Sequence, residues 1–151
     1  GALIFEADAS GANMAGANLS GVHAGNIRLI NANLAGADLT LADMEGARLN
    51  DATMAGAILN EVNLARTRMF RVDLRGVVGY SAYFVEALLR GANLSGASLI
   101  SANFYGSDLA TANLSHADLT ASNLLTANLQ DSIRVGTVFA RARMPDNTLV
   151  P

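Results

Sequence analysis

The chain has 151 residues, of which 51% are apolar and 15% charged, with a formal net charge of −3 at pH 7. No apolar run approaches the roughly 20 residues that a membrane-spanning helix needs, and no basic segment followed by an apolar one predicts a signal peptide. The absence of cysteine excludes disulfides and thiol chemistry. We therefore expect a cytoplasmic protein, although the chain begins at Gly1 and an upstream targeting segment would not be seen.

A five-residue repeat runs along the chain from Ile4 to Leu129. A large apolar residue occupies the centre of most repeats, with Ala9, Ala24 and Gly79 as exceptions, a small residue commonly lies two places earlier, and Asn or Asp commonly lies between them. The pattern is clearest over residues 92–131. The central residues of that stretch are Leu94, Leu99, Phe104, Leu109, Leu114, Leu119, Leu124 and Leu129.

This period is incompatible with an amphipathic helix and suits short strands joined by corners. Five residues advance a helix by about 500°, which would scatter the central side chains around its whole surface. In a strand, the small and the central residue point to one side and the residue between them points to the other. The last position is often Gly, which suits a bend with positive φ. Stacked walls about 4.8 Å apart would then bury a continuous apolar column.

Three places in the chain depart from the simple pattern. At Gly79 the central side chain is missing, and we expect a locally irregular coil there. Arg134 occupies a core position, so either residues 132–136 leave the wall or Arg134 lies at an end that is open to water. Residues 132–151 are predicted to form an irregular last coil or a cap, and Pro145 suits such an end.

The repeats ANLSG, ANLAG, ADLTL, ADMEG and ANFYG resemble those of the pentapeptide-repeat family. The resemblance covers nearly the whole chain. It implies an all-β, right-handed, four-sided parallel β-helix (a β-solenoid) of about seven coils with four pentapeptides each, forming a single domain over residues 1–151. Many members of the family, particularly bacterial ones, have no assigned function.

With four repeats in a coil, residues 20 positions apart become neighbours along the rod. Phe84 and Phe104 are then predicted to stack inside. Outside, two ion pairs are predicted, Asp51 with Arg71 and Arg66 with Glu86, each worth about 0–1 kcal/mol.

A ladder of arginines is predicted on one wall. It comprises Arg28, Arg48 and Arg68, with Arg66 and Arg71 close by. Like charges in register repel, so the functional interpretation is a contact with an anion or an acidic partner. The alternative is a solvated stack whose aliphatic stems cover the wall.

A second candidate surface consists of apolar and aromatic residues at outward positions near the middle of the rod. Such patches mark interfaces, either with another protein or domain or between copies of the chain. The alternative is that these residue types simply suit exposed strands. The residues concerned are Ile58, Val78, Tyr80 and Ile100 on one wall, and Tyr83, Val85, Tyr105 and Leu125 on the next.

No constellation of residues predicts catalysis, a metal site or a cofactor. His23 and His116 lie on different predicted walls and lack the spacing of a metal pair. No Ser–His–Asp set stands out, and no phosphate-binding loop motif occurs. The Asn and Asp column is expected to hydrogen-bond the backbone near the corners. The protein is not expected to be an enzyme.

The first functional hypothesis is a rigid, non-catalytic scaffold that binds an unidentified protein partner. End-to-end or side-to-side association of rods is a further possibility. The alternative comes from the family resemblance, because some pentapeptide-repeat proteins imitate duplex DNA and regulate DNA gyrase in quinolone resistance. B-DNA would carry about 20 charges over a rod of about 35 Å, so a net charge of −3 is a poor imitation. No membrane span and no direct binding of nucleic acid are expected.

Overall fold

A computed structural model describes residues 2–151, which form a stack of coils that each contain 20 residues. Parallel bridges join every outward middle residue to the one 20 positions later, from Leu3 with His23 to Asn123 with Arg143. Residues 2–151 contain no helix, and each wall pairs through single bridge residues rather than through longer strands. Among these residues, no helix exists that could cross a membrane. The predicted β-helix with four repeats per coil is confirmed.

Four walls follow one another around each coil, and we number them by their first bridge residue. Wall 1 begins at Leu3, wall 2 at Asp8, wall 3 at Asn13 and wall 4 at Asn18. Each wall inside the stack is bonded to both neighbouring coils, through different residues for each coil. Asn93 donates its backbone N–H to the carbonyl of Val72 below (2.9 Å), while Leu94 donates to Asn113 above (2.8 Å). The lateral walls therefore offer no free backbone edge.

The corners require a left-handed backbone conformation once in every five residues. The residue two places after each central residue has φ between +51° and +71°, and glycine occupies many of these positions. In a representative corner, the N–H of Ala102 donates to the carbonyl of Leu99 at 3.1 Å, which closes a turn of type II geometry. Residues with side chains adopt the same φ elsewhere, including Leu41 at +59°. The stacking bonds of the walls impose this conformation because local preference opposes it.

The interior is filled by the central and small residues of the repeat. Leu94, Leu99, Leu114 and Leu119 are all fully buried, as predicted. The core cluster extends continuously from the second coil to the last complete one. Phe84 and Phe104 stack with their ring centroids 4.8 Å apart and their planes within 2° of parallel, which confirms their predicted pairing.

The coil at Gly79 is regular, so the predicted irregularity there is wrong. Val78 bridges Ser98, and the N–H of Gly79 donates to the carbonyl of Ser98 at 2.8 Å. A Cβ at this glycine would lie 2.9 Å from Leu99 Cδ2 and 3.3 Å from Leu59 Cβ. Neighbouring side chains thus occupy the space that the missing one leaves, and the backbone has no reason to distort.

At the carboxyl end, the walls stay in register as far as Arg143. Ile133 bridges Asn113, so the chain does not leave the wall near Arg134. The Arg134 side chain instead lies at the open end of the core, exposed to water, which satisfies the second of the two predicted alternatives. Beyond Met144 the chain reverses, and Leu149 pairs antiparallel with Arg143. This return segment covers the last edge of wall 1.

Replacing Phe104 by Ala should destabilise the protein by about 3–5 kcal/mol, because it removes a buried ring and leaves a cavity that the stacked coils cannot close. The adjacent residue provides a matched control. Tyr105 points outward and is 41% exposed, so Tyr105→Ala should change stability by less than about 1 kcal/mol. Urea denaturation followed by far-ultraviolet circular dichroism measures both. Equal losses in the two variants would contradict the assigned interior.

Candidate interaction surface

The three ladder arginines lie directly above one another on wall 2. Arg28 bridges Arg48, and Arg48 bridges Arg68, so the predicted register is confirmed. All three residues are exposed. The ladder is bounded by Asp8 in the coil below and by Leu88 in the coil above.

Carboxylates pair with the lowest arginine of the ladder and with those beside it, but not with Arg48 or Arg68. Arg28 Nε lies 3.2 Å from Asp8 Oδ2. Arg71 pairs with Asp51 at 2.7 Å, as predicted, at the corner between walls 2 and 3. Among residues 2–151, neither Arg48 nor Arg68 has a carboxylate within ion-pair distance. These two guanidinium groups are therefore available to a ligand.

The predicted pair between Arg66 and Glu86 is wrong, because Arg66 binds Glu45 instead. Both Nε and Nη2 of Arg66 donate to Glu45 Oε1, the former at 3.1 Å. The two partners are 21 residues apart, so the contact crosses the corner diagonally rather than vertically. The long side chain of Arg66 thus reaches down to the coil below, and Glu86 above it contributes only a weak electrostatic attraction.

The arginines border a groove of about 890 Å³ along the corner between walls 1 and 2. Neighbouring side chains already fill the space over two of its corner glycines. Gly25 is buried beneath the ring of Phe5, which would lie 3.4 Å from a Cβ at that position, and a Cβ at Gly46 would overlap the side-chain oxygen of Asn26. We call this recess the arginine groove. Its lining comprises Phe5, Glu6, Gly25, Asn26, Arg28, Asp43, Glu45, Gly46, Arg48, Arg66 and Arg68.

Hydrogen bonds lower the pKa values of two carboxyl groups, Glu45 in the groove and Asp8 beside Arg28. The guanidinium of Arg66 holds the pKa of Glu45 below its ordinary value, chiefly through their hydrogen bond, and the pKa of Arg66 is raised in return. The pKa of Asp8 is lowered mainly by hydrogen bonds from Ser10, with Arg28 a smaller cause. Both carboxylates are therefore charged at neutral pH, and the groove presents both signs of charge.

The predicted apolar surface spans walls 4 and 1 and the two corners that flank wall 1. Tyr80 (55% exposed) lies at the corner with wall 4, Tyr83 (48%) in the middle of wall 1, and Tyr105 (41%) at the corner with wall 2. Ile58 and Val78 of wall 4 are also exposed, while Ile100, Val85 and Leu125 are half-buried. We call these eight residues the tyrosine patch.

The arginine groove and the tyrosine patch are adjacent parts of one surface. Asp43 of the groove bridges Asn63, which in turn bridges Tyr83 of the patch. Arg66, at the upper limit of the groove, is followed one coil later by Val85 and Glu86 at the same corner. Arg71 alone among the predicted site residues lies apart from both, at the far corner of wall 2.

The sequence reasoning missed several residues of this surface. Phe5, Glu6, Asp43 and Glu45 line the groove, and their positions in the 20-residue register relative to the arginines could have revealed them. Leu41 is 60% exposed at the opposite edge of wall 1 in spite of its positive φ. In residues 2–151, no group of three or more His, Cys, Asp or Glu side chains is placed to hold a metal ion.

The predicted role of the Asn and Asp column is confirmed. Their side-chain oxygens accept hydrogen bonds from the backbone N–H two residues later, as Asn93 does from Ser95 at 3.1 Å. Some also bond vertically, as Asn63 Nδ2 does to Asp43 Oδ1 at 2.9 Å. These residues are engaged in stabilising the corners.

The fold defines a class of protein, a right-handed four-sided β-helix. A family model described as pentapeptide repeats matches in eight copies, over residues 12–51, 37–76 and 80–115. The chain belongs to the pentapeptide-repeat family. No curated protein matches its sequence.

Solved structures of similar fold include QnrB1, described as a plasmid-mediated fluoroquinolone resistance protein. A trypsin-treated variant of it is 17% identical, with a TM-score of 0.82 over 94% of this chain and 70% of that one. Full-length QnrB1 is 14% identical, with a TM-score of 0.66 over 98% and 85%. HetL from the cyanobacterium Nostoc, involved in regulating heterocyst differentiation, is 22% identical, with a TM-score of 0.48 over 97% and 89%. At these identities the likeness concerns the fold.

Replacing Arg66 by Ala should raise the pKa of Glu45 towards its ordinary value. The ion pair holds that pKa low in the folded state, so its contribution is present above the unfolded pKa and is lost as the pH falls through the lower folded value. Titration of the Glu45 carboxyl carbon by NMR between neutral and acidic pH measures the change. Arg71→Ala, which removes the same charge at another corner, should leave Glu45 unaffected. A Glu45 pKa that is the same with and without Arg66 would contradict the diagonal pair.

Proposed function

We propose that the protein is a rigid, non-catalytic scaffold that binds a partner protein through wall 1 and its corner with wall 2. The observation that supports this most is the continuity of the arginine groove with the tyrosine patch. Two surfaces of different chemistry, each unusual by itself, share one wall. The groove provides oriented charge, and the patch provides apolar area next to it.

The composition of the patch favours a protein partner. Tyrosine and arginine are enriched in the energetically important parts of interfaces. A tyrosine side chain has only two torsions, so it buries much area at a small entropic cost. Tyr80, Tyr83 and Tyr105 are each between about two-fifths and three-fifths exposed, although they contribute nothing to the core. Exposing these three side chains does not stabilise the fold. Their energetic value would be realised on contact with a partner.

The rigidity of the walls supports the same proposal. Each pentapeptide between the first and last coils makes backbone hydrogen bonds to both neighbouring coils, and the interior is filled by apolar side chains. A ligand cannot enter the core, and a partner cannot add a strand to a lateral wall that has no free edge. Recognition would therefore use outward side chains held in fixed positions, which reduces the entropic cost of binding.

Replacing Tyr83 and Tyr105 together by Ala should abolish capture of the partner from a lysate of the source cells by the immobilised chain. The matched control is Phe70→Ala, which removes a half-buried aromatic residue from the corner between walls 2 and 3. Proteins retained by the parent chain and by Phe70→Ala, but lost from the tyrosine variant, would support the proposal. Capture that is identical in all three, or absent in all three, would contradict it.

Self-association through the same patch has its own signature. Sedimentation velocity of the purified chain would then show a fraction of dimer that increases with protein concentration and is absent in the tyrosine variant. In that case the partner is a second copy of the chain.

A second candidate is the DNA gyrase regulator that the family resemblance implies. The observation that favours it is the shape, since the rod superposes on trypsin-treated QnrB1 with a TM-score of 0.82 over 94% of this chain. The charge distribution opposes it. The exposed ladder of wall 2 is basic, whereas an imitation of duplex DNA requires regularly spaced negative charge along the rod.

We expect micromolar concentrations of the protein to leave the supercoiling activity of purified DNA gyrase unchanged, with and without a fluoroquinolone. The charges of the walls do not reproduce those of DNA, so the enzyme has no reason to accept the rod as a substrate analogue. Agarose gel electrophoresis of relaxed plasmid after incubation with gyrase and ATP measures this. Inhibition of supercoiling, or protection against the drug, would replace the scaffold proposal with the second candidate.

A further inference from the structure

We propose that the arginine groove binds an extended acidic segment of a partner protein, in which two carboxylates engage Arg48 and Arg68. This inference rests on the proposed scaffold function and identifies the chemistry of the partner at one part of its surface.

The first reason is the pattern of pairing among the arginines. Along the lateral walls each of the others has a carboxylate nearby, as in Arg28 with Asp8, Arg66 with Glu45 and Arg90 with Asp108. Arg48 and Arg68 are the two that lack one among residues 2–151, apart from the three arginines at the carboxyl end. They also stack on each other, at about the 4.8 Å spacing of neighbouring strands, so the repulsion between them is not relieved within the chain.

The second reason is the shape beneath the guanidinium groups. The groove crosses the coils from that of Phe5 to that of Arg66, a height of about 14 Å, since coils are about 4.8 Å apart. An extended peptide rises about 3.3 Å per residue, so four or five residues fill this length. Phe5, which is 57% exposed, offers an apolar contact at the lower end.

The third reason is the mixture of charges, which distinguishes a peptide from a nucleic acid. Glu6, Asp43 and Glu45 line the groove together with the arginines. A phosphodiester backbone would bring unbroken negative charge against these three carboxylates. A peptide can place its carboxylates at Arg48 and Arg68 and neutral or basic groups next to the acidic residues. The tyrosine patch continues the surface above the groove and suits the rest of a folded partner.

The test is a titration of the full chain against a fluorescein-labelled five-residue peptide of alternating glutamate and alanine, followed by fluorescence anisotropy at low salt. We expect saturable binding that the variant R48A/R68A weakens by about tenfold, as the loss of two charge-assisted contacts predicts. The matched control R71A/R75A removes the same net charge from other corners and should change the affinity by less than about twofold. Circular dichroism verifies that both variants keep the fold of the parent chain.

Three comparisons decide the outcome. A peptide with lysine in place of glutamate should not bind, and a 12-base-pair DNA duplex should bind less tightly than the acidic peptide. Tighter binding of the duplex would assign the groove to nucleic acid and overturn the inference. An equal loss of affinity in R48A/R68A and R71A/R75A, or no binding of the acidic peptide, would also overturn it.

If the peptide experiment fails, the scaffold proposal can still be tested separately. If R48A/R68A captures the same cellular partner as the parent chain while the tyrosine variant does not, wall 1 is an interface and the arginine groove is not part of it. If neither variant affects capture, both proposals fail together.

Discussion

The fold depends on the backbone hydrogen bonds between coils, which repeat at intervals of 20 residues. Each bonded residue in a wall must meet its counterpart above and below, and this requires the chain to turn by a quarter of the coil after every five residues. The turn places one residue in the left-handed region each time. These include Leu41 and Arg66, although leucine and arginine rarely adopt this conformation in proteins. The bonds of the neighbouring coils outweigh this local cost, so the corner geometry is a property of the stack and not of any single turn.

This constraint separates stability from recognition more sharply than in most folds. The central and small residues are buried in the core. The Asn and Asp side chains of the walls stabilise the corners, as Asn93 does. What remains for a partner is the set of outward residues that do neither. Tyr83 and Arg48 belong to that set, because removing either side chain would leave the backbone bonds and the core as they are.

The period of five residues predicted the walls and the buried column, and the four repeats per coil implied by the family resemblance predicted the stacked rings of Phe84 and Phe104. The prediction of contacts failed where a side chain reaches a residue that is not 20 positions away. Arg66 is 21 residues from Glu45 and binds it diagonally across a corner. Its side chain is long enough to reach this residue instead of Glu86, which lies directly above it. At Gly79 the sequence shows a missing side chain but cannot show that Leu99 leans into the space. The groove likewise depends on which side chains line the corner between walls 1 and 2, and the pattern of central residues does not record this.

The arginine ladder also has to be reconciled with the stability of the rod. Two unit charges about 4 Å apart in water interact by only about 1 kcal/mol, and exposed guanidinium groups can spread further, so the ladder costs the fold little. Asp8 and Glu45 reduce the repulsion at its margins, which leaves the field strongest at Arg48 and Arg68. A carboxylate placed between these two would gain attraction from both and relieve the repulsion between them. Because the groups are exposed, this gain is screened by salt, so an acidic ligand would bind reversibly and depend on the neighbouring tyrosine patch for much of its affinity.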